Sequence, residues 1–123
     1  MTDPNFIILY VESPAVSAVF YAGLLGKSAL EASATFAMFA LKSGCMLGLW
    51  SKHTVTPAAS ASKGGAELAF AVADNAAVDN LHASWAQRGL VIALAPVALD
   101  FGYTFVALDP DGHRLRVFAP AAP

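Results

Sequence analysis

Apolar and polar residues alternate in short runs, and these runs recur in one order along the chain. Phe6-Ile-Ile-Leu-Tyr-Val11 runs as a strand into Glu12-Ser13-Pro14, and Glu67-Leu-Ala-Phe-Ala-Val72 runs likewise into Ala73-Asp74. Each copy closes on a further apolar strand, Met46-Leu-Gly-Leu-Trp50 in the first and Arg114-Leu-Arg-Val-Phe118 in the second. Between them, Ser13 with Pro14 predicts a helix start, with Val16, Val19, Phe20 and Leu24 as its apolar face and Gly26 as its end. Strands are expected around Ser28 to Ala32, Thr35 to Leu41 and Cys45 to Ser51, with Lys42-Ser43-Gly44 as a tight hairpin connection. In the second copy Asp74 caps a helix whose Val78, Leu81 and Trp85 recur at helical spacing before Gly89. Strands then follow around Val91 to Val97, Tyr103 to Leu108 and Arg114 to Ala119, and Asp109-Pro-Asp-Gly112 is a clear turn. The pattern is a duplicated β-α-β-β-β unit. Lys52 to Gly65, rich in Ser, Thr, Ala, Pro and Gly, breaks both periodicities and reads as the link between copies, long enough to act as a flap.

Composition sets the scale of this plan. A chain of 123 residues, 57% hydrophobic and 13% charged, has ample material for the core of one domain. Residues 1–123 are therefore expected to form a single domain, with module one at about 1–52, the link at about 53–65 and module two at about 66–123. The net charge of -2, with Lys27, Lys42, Lys52, Lys63, Arg88, Arg114 and Arg116 scattered, gives a nucleic-acid partner no electrostatic support. A small apolar or aromatic molecule suits the surface better. The lone Cys45 cannot close a disulfide within the chain, and no basic region followed by an apolar run directs secretion. No apolar run of ~18 residues calls for a membrane, so a cytoplasmic location is expected.

Taken together and in order, three segments carry a family resemblance: Val11-Glu-Ser-Pro14 followed by Phe20-Tyr-Ala-Gly-Leu-Leu-Gly26, the strand ending Val72-Ala-Asp74, and Asp109-Pro-Asp-Gly-His-Arg-Leu-Arg-Val-Phe118. The chain resembles, over nearly its whole length, the vicinal oxygen chelate superfamily of glyoxalase I, extradiol dioxygenases, and the fosfomycin and bleomycin resistance proteins. The resemblance implies an α+β fold in which two β-α-β-β-β modules form a U-shaped, partly open β-barrel, the ligand lying on its concave face and the chain pairing as a homodimer. Metal-dependent members place four donors on that face, and the matching positions here are Phe6, Gly48, Glu67 and Arg116. Phe and Gly offer no donor and Arg is a permanent cation, so the pattern resembles the metal-free, bleomycin resistance-like branch that sequesters a molecule without altering it. No metal or other cofactor is implied.

Strand alternation then supplies a candidate lining. Phe6, Ile8 and Tyr10 share one face of the first strand, Met46, Gly48 and Trp50 one face of the fourth, Glu67, Ala69 and Ala71 one face of the fifth, and Arg114, Arg116 and Phe118 one face of the last. The expected trough is aromatic and apolar, with room left by Gly48, Ala69 and Ala71. Trp50 reads as a stacking platform or as filling at a dimer seam. Glu67 and Arg116 either pair with each other or contact the ligand. His53, beside the link, is a candidate contact; His82 and His113 are expected in solvent, Trp85 in the core, and Cys45 as an inert buried thiol. The enzymatic alternative is a glyoxalase- or dioxygenase-like lyase or oxidoreductase, metal-dependent or using Glu67 as general base. A groove filled by its own side chains would indicate a scaffold instead.

Overall fold

Local hydrogen bonding starts both helices where the sequence predicts. The computed structural model describes residues 4–56, 58–59 and 66–121. These fall into two compact units, divided between residues 62 and 63. The Ser13 hydroxyl accepts from the Val16 N–H, Pro14 occupies the first turn, and α1 runs Pro14–Leu25 to a left-handed Gly26 (φ 67°). The Asp74 carboxylate accepts from the Ala77 N–H at 2.9 Å and opens α2, Asn75–Gln87.

In the first unit, β1 (Phe6–Val11), β2 (Glu31–Ala32), β3 (Phe36–Ala40) and β4 (Met46–Ser51) form one sheet in the order β1-β4-β3-β2. β1 runs parallel to β4 and the other pairs are antiparallel. Ala37, Phe39, Leu47, Leu49 and Val11 are buried together with Ala18 and Tyr21 of α1, which packs on β3 and β4. This corrects the helix face read from the sequence: Val16 and Val19 are 56% and 76% exposed, while Pro14, Ser17, Ala18 and Tyr21 are the buried positions. The helix is apolar almost all round, so periodicity alone selects no face. Small residues at 17 and 18 let it approach the sheet closely, with Tyr21 buried in the seam. The strand expected around Ser28 to Ala32 shortens to the edge pair Glu31–Ala32.

The second unit repeats the plan with β5 (Glu67–Ala71), β6 (Val91–Leu99), β7 (Gly102–Leu108) and β8 (Arg114–Pro120) in the order β5-β8-β7-β6, β5 being parallel to β8. Phe105, Leu115 and Val117 are fully buried, with Val78 and Trp85 from α2. Trp85 meets Phe70 and Phe105 edge-on at 5.6 and 5.4 Å, the core role the sequence assigns it. The edge strand β6 passes through Pro96 because its register shifts on both sides of Leu94, and a proline is tolerated at such a shift. Gly102 (φ 150°) is required where β7 starts, since a Cβ there would collide with the Ala119 carbonyl oxygen. Of the predicted link, Val55 is buried, whereas residue 57 and residues 60–65 lie outside the described residues.

Two histidines depart from their expected place in solvent. His82 is half-buried with its ring against Phe105 at 5.3 Å, because a residue flanking the apolar stripe of α2 still reaches the sheet. His113 is also half-buried: its Nδ1 lies 2.8 Å from Asp109 Oδ2, while Oδ1 of the same carboxylate accepts the N–H groups of Asp111 and His113. The aspartate thus closes the turn as expected and binds the imidazole as well. The hydrogen bond to Asp109 raises the His113 pKa above 6.5 against the opposing effect of burial, with the charges of Asp109 and Asp111 adding to the rise. A group whose folded pKa is raised stabilises fully below its unfolded value and loses that contribution as pH climbs through the folded one. The unfolding midpoint of the wild type is therefore expected to fall, from about pH 6.5 upward, relative to that of His113→Gln. Thermal denaturation of both proteins across pH 5 to 9 checks this, and parallel curves would remove the pairing from the stability of the turn.

Candidate ligand-binding face

Strand register sorts the face of each sheet opposite its helix into rows. In the first unit Phe6, Met46 and Ala40 form one row; Ile8, Gly48, Met38 and Glu31 the next; and Tyr10, Trp50 and Phe36 the third. Tyr10 is 49% exposed, Trp50 and Phe36 are half-buried, and those two rings meet edge-on at 6.2 Å. Three aromatic side chains in register across three strands make a broad, partly uncovered apolar platform.

Gly48 does not leave the room expected of it. The glycine is buried, and a Cβ added there would lie 2.7 Å from Phe6 Cε1 and 3.0 Å from Phe36 Cζ. Neighbouring rings have moved into the space that the missing side chain vacates, as close packing demands. This is the correction to the trough as read from alternation: Ala69 and Ala71 are exposed on β5, but the Gly48 position is filled.

In the second unit Glu67, Arg114, Leu108 and Val91 share a row, Ala69, Arg116, Val106 and Leu94 the next, and Ala71, Phe118, Thr104 and Val97 the third. Arg116 Nε donates to Glu67 Oε1 at 2.7 Å and its Nη1 to Thr104 Oγ1 at 3.2 Å, while the guanidinium lies 5.5 Å from the centre of the Phe101 ring. Phe101 in turn stacks edge-on with Phe118 at 6.0 Å. In this structure Glu67 and Arg116 pair with each other. Arg114 stands exposed beside Glu67, within the first of these rows.

The two units match in one more respect. Glu67 reaches Arg116, two residues past its own register partner Arg114; Phe6 leans on Gly48, likewise two past its partner Met46. The four positions that correspond to metal donors in the resemblance therefore form a ring-on-glycine contact in one unit and an ion pair in the other. Among the described residues no three His, Cys, Asp or Glu side chains come together in a group able to hold a metal ion. These residues do not fit a metal centre.

Alternation from the first and fourth strands of each module missed the third-strand contributors Phe36 and Met38 and, in the second unit, Thr104 and Val106. The signal was present, since the Lys42-Ser43-Gly44 connection fixes which β3 residues face which β4 residues. His53 lies 2.8 Å from Glu12 Oε2, which also receives Lys52 Nζ at 3.0 Å, a cluster that neither Glu12 nor Lys52 advertises in the sequence. Cys45 is half-buried at the start of β4, its Sγ 3.6 Å from the Met46 carbonyl oxygen.

Comparison with known proteins follows from this geometry. No family model matches the sequence. A glyoxalase/bleomycin resistance protein/dioxygenase family enzyme from Burkholderia phytofirmans PsJN is similar in structure with a TM-score of 0.82 at 20% identity, over 98% of this chain and 100% of that one. Two mixed four-stranded sheets, each with one helix, thus define a protein of the α+β glyoxalase/bleomycin resistance fold, as the sequence resemblance implied. The chain belongs to one family with protein ATC0852 from Agrobacterium tumefaciens, with which it is 52% identical at a TM-score of 0.90, over 99% of this chain and 100% of that one. A more distant relative, 26% identical over 117 residues that make up 93% of this chain and 89% of its own, is the phenazine antibiotic resistance protein EhpR of Enterobacter agglomerans. Among the described residues no helix is long and apolar enough to cross a membrane.

Proposed function

We propose that this protein binds a planar aromatic molecule, a drug or an aromatic metabolite, and sequesters it unaltered and without a metal ion. The observation that carries the reading is the row of Tyr10, Trp50 and Phe36, aromatic in all three strands and partly open to solvent. Stacking on such a platform adds roughly 0.5 to 1.5 kcal/mol per aromatic pair beyond the burial of area. The name of the distant relative EhpR supports the choice of ligand class, since phenazine is a flat heteroaromatic of three fused rings. Homodimerisation and a cytoplasmic location belong to the same proposal. The enzymatic alternative has Glu67 as general base, which asks its carboxylate to leave the guanidinium of Arg116.

Trp85 is only 5% exposed, so quenching of tryptophan emission by an added aromatic reports mainly on Trp50. Titration with phenazine is expected to give saturable quenching, with the phenazine recovered chemically unchanged by chromatography. Absence of quenching, or appearance of a product, would overturn the sequestering role.

A further inference from the structure

The polar cluster at the end of the aromatic row has no counterpart in the second module. Lys52 N donates to the Val11 carbonyl at 2.9 Å, carrying the β1–β4 ladder one step past its last paired residues. Glu12 and Lys52 therefore follow Tyr10 and Trp50 at the C-terminal ends of the two strands. About two residues of strand rise, roughly 7 Å, separate the cluster from the row. Glu12 Oε2 holds Lys52 Nζ at 3.0 Å and His53 Nε2 at 2.8 Å, and the three side chains are 60%, 50% and 60% exposed. The hydrogen bond from Lys52, and then that from His53, keeps the Glu12 carboxyl below the usual carboxylate range.

Exposed ion pairs of this kind contribute little to stability. The duplication supplies an internal control: by register, Tyr10 corresponds to Ala71 and Trp50 to Phe118, so Glu12, Lys52 and His53 correspond to Ala73, Pro120 and Ala121. The second unit builds the same β-α-β-β-β arrangement with none of the three charged or polar groups. The cluster is thus not needed to form the module, and it occurs only beside the aromatic row. Its carboxylate already accepts from both neighbours, so the group it offers outward is the Lys52 ammonium, which has three N–H donors and gives one to Glu12.

We propose that Lys52, positioned by Glu12 and His53, is the anion anchor of the binding face and that the ligand is a planar aromatic bearing a carboxylate on its ring edge. This rests on the aromatic platform proposed above. Lys52 supplies a charge-assisted hydrogen bond to the carboxylate while the ring stacks on the platform.

The test titrates phenazine and phenazine-1-carboxylate separately against tryptophan emission, in the wild type, Lys52→Gln and Lys52→Arg, at low and high salt. In the wild type the carboxylate is expected to bind about five- to tenfold more tightly than phenazine, with the preference narrowing at high salt. Lys52→Gln should abolish the preference, and Lys52→Arg should retain most of it. Equal wild-type affinities for the two probes, or a preference that survives Lys52→Gln, would overturn the anchor while leaving the platform standing. Binding of neither probe would overturn the platform, and the anchor with it.

Discussion

Replacing Trp50 by alanine is expected to weaken phenazine binding by roughly thirty- to hundredfold, the loss of about 2 to 3 kcal/mol that a stacked aromatic supplies. Trp50 sits in the middle of its row, with Tyr10 on one side and Phe36 on the other, so removing it breaks the platform at its centre. Stability should change far less. The side chain is half-buried, and its edge-on contact with Phe36 is worth about 1 kcal/mol. Urea denaturation followed by circular dichroism, with unchanged dependence on denaturant, should show a decrease of about 1 to 2 kcal/mol. A decrease as large as that of a core truncation would make Trp50 a packing residue and remove the platform from the binding reading.

Phe105→Ala is expected to have the largest effect on stability, about 3 to 5 kcal/mol. Its ring is fully buried in the second unit between His82 at 5.3 Å and Trp85 at 5.4 Å, both edge-on. Truncation leaves a cavity whose aromatic walls cannot collapse without moving α2 against the sheet. Against a typical total of about 5 to 15 kcal/mol for a domain, such a loss is severe. Phe105→Leu, which keeps most of the volume, should cost less than half as much. Urea curves for the two variants decide the matter, and a loss below about 1 kcal/mol for the alanine variant would mean that the site closes on itself.

What the sequence makes legible here is mostly local. Ser13 with Pro14, Asp74, and Asp109 in its turn each act on backbone groups within four residues, so their roles follow from residue type and position. Strand alternation likewise holds, because β1, β4, β5 and β8 present the expected residues opposite their helices. The face of α1 was not legible, since an almost uniformly apolar helix is oriented by which small residues admit close approach rather than by its period. His82 and His113 were misplaced for a related reason: the first needs Phe105 and the second the free oxygen of the Asp109 carboxylate, neighbours that composition does not reveal. Gly48 misled because an absent side chain suggests space, whereas two rings had already filled it.

The contact of Phe6 with Gly48 also constrains how the chain can change under selection. A donor gained at residue 48 begins with a Cβ that would lie 2.7 Å from Phe6 Cε1 and 3.0 Å from Phe36 Cζ, so both rings must shift to admit it. In the second unit, exchanging Arg116 for a neutral donor first leaves Glu67 without its cation. The two halves therefore stand at different distances from a donor pair: the first unit needs changes at both residue 6 and residue 48, whereas in the second a substitution at residue 116 alone would set a neutral donor beside Glu67.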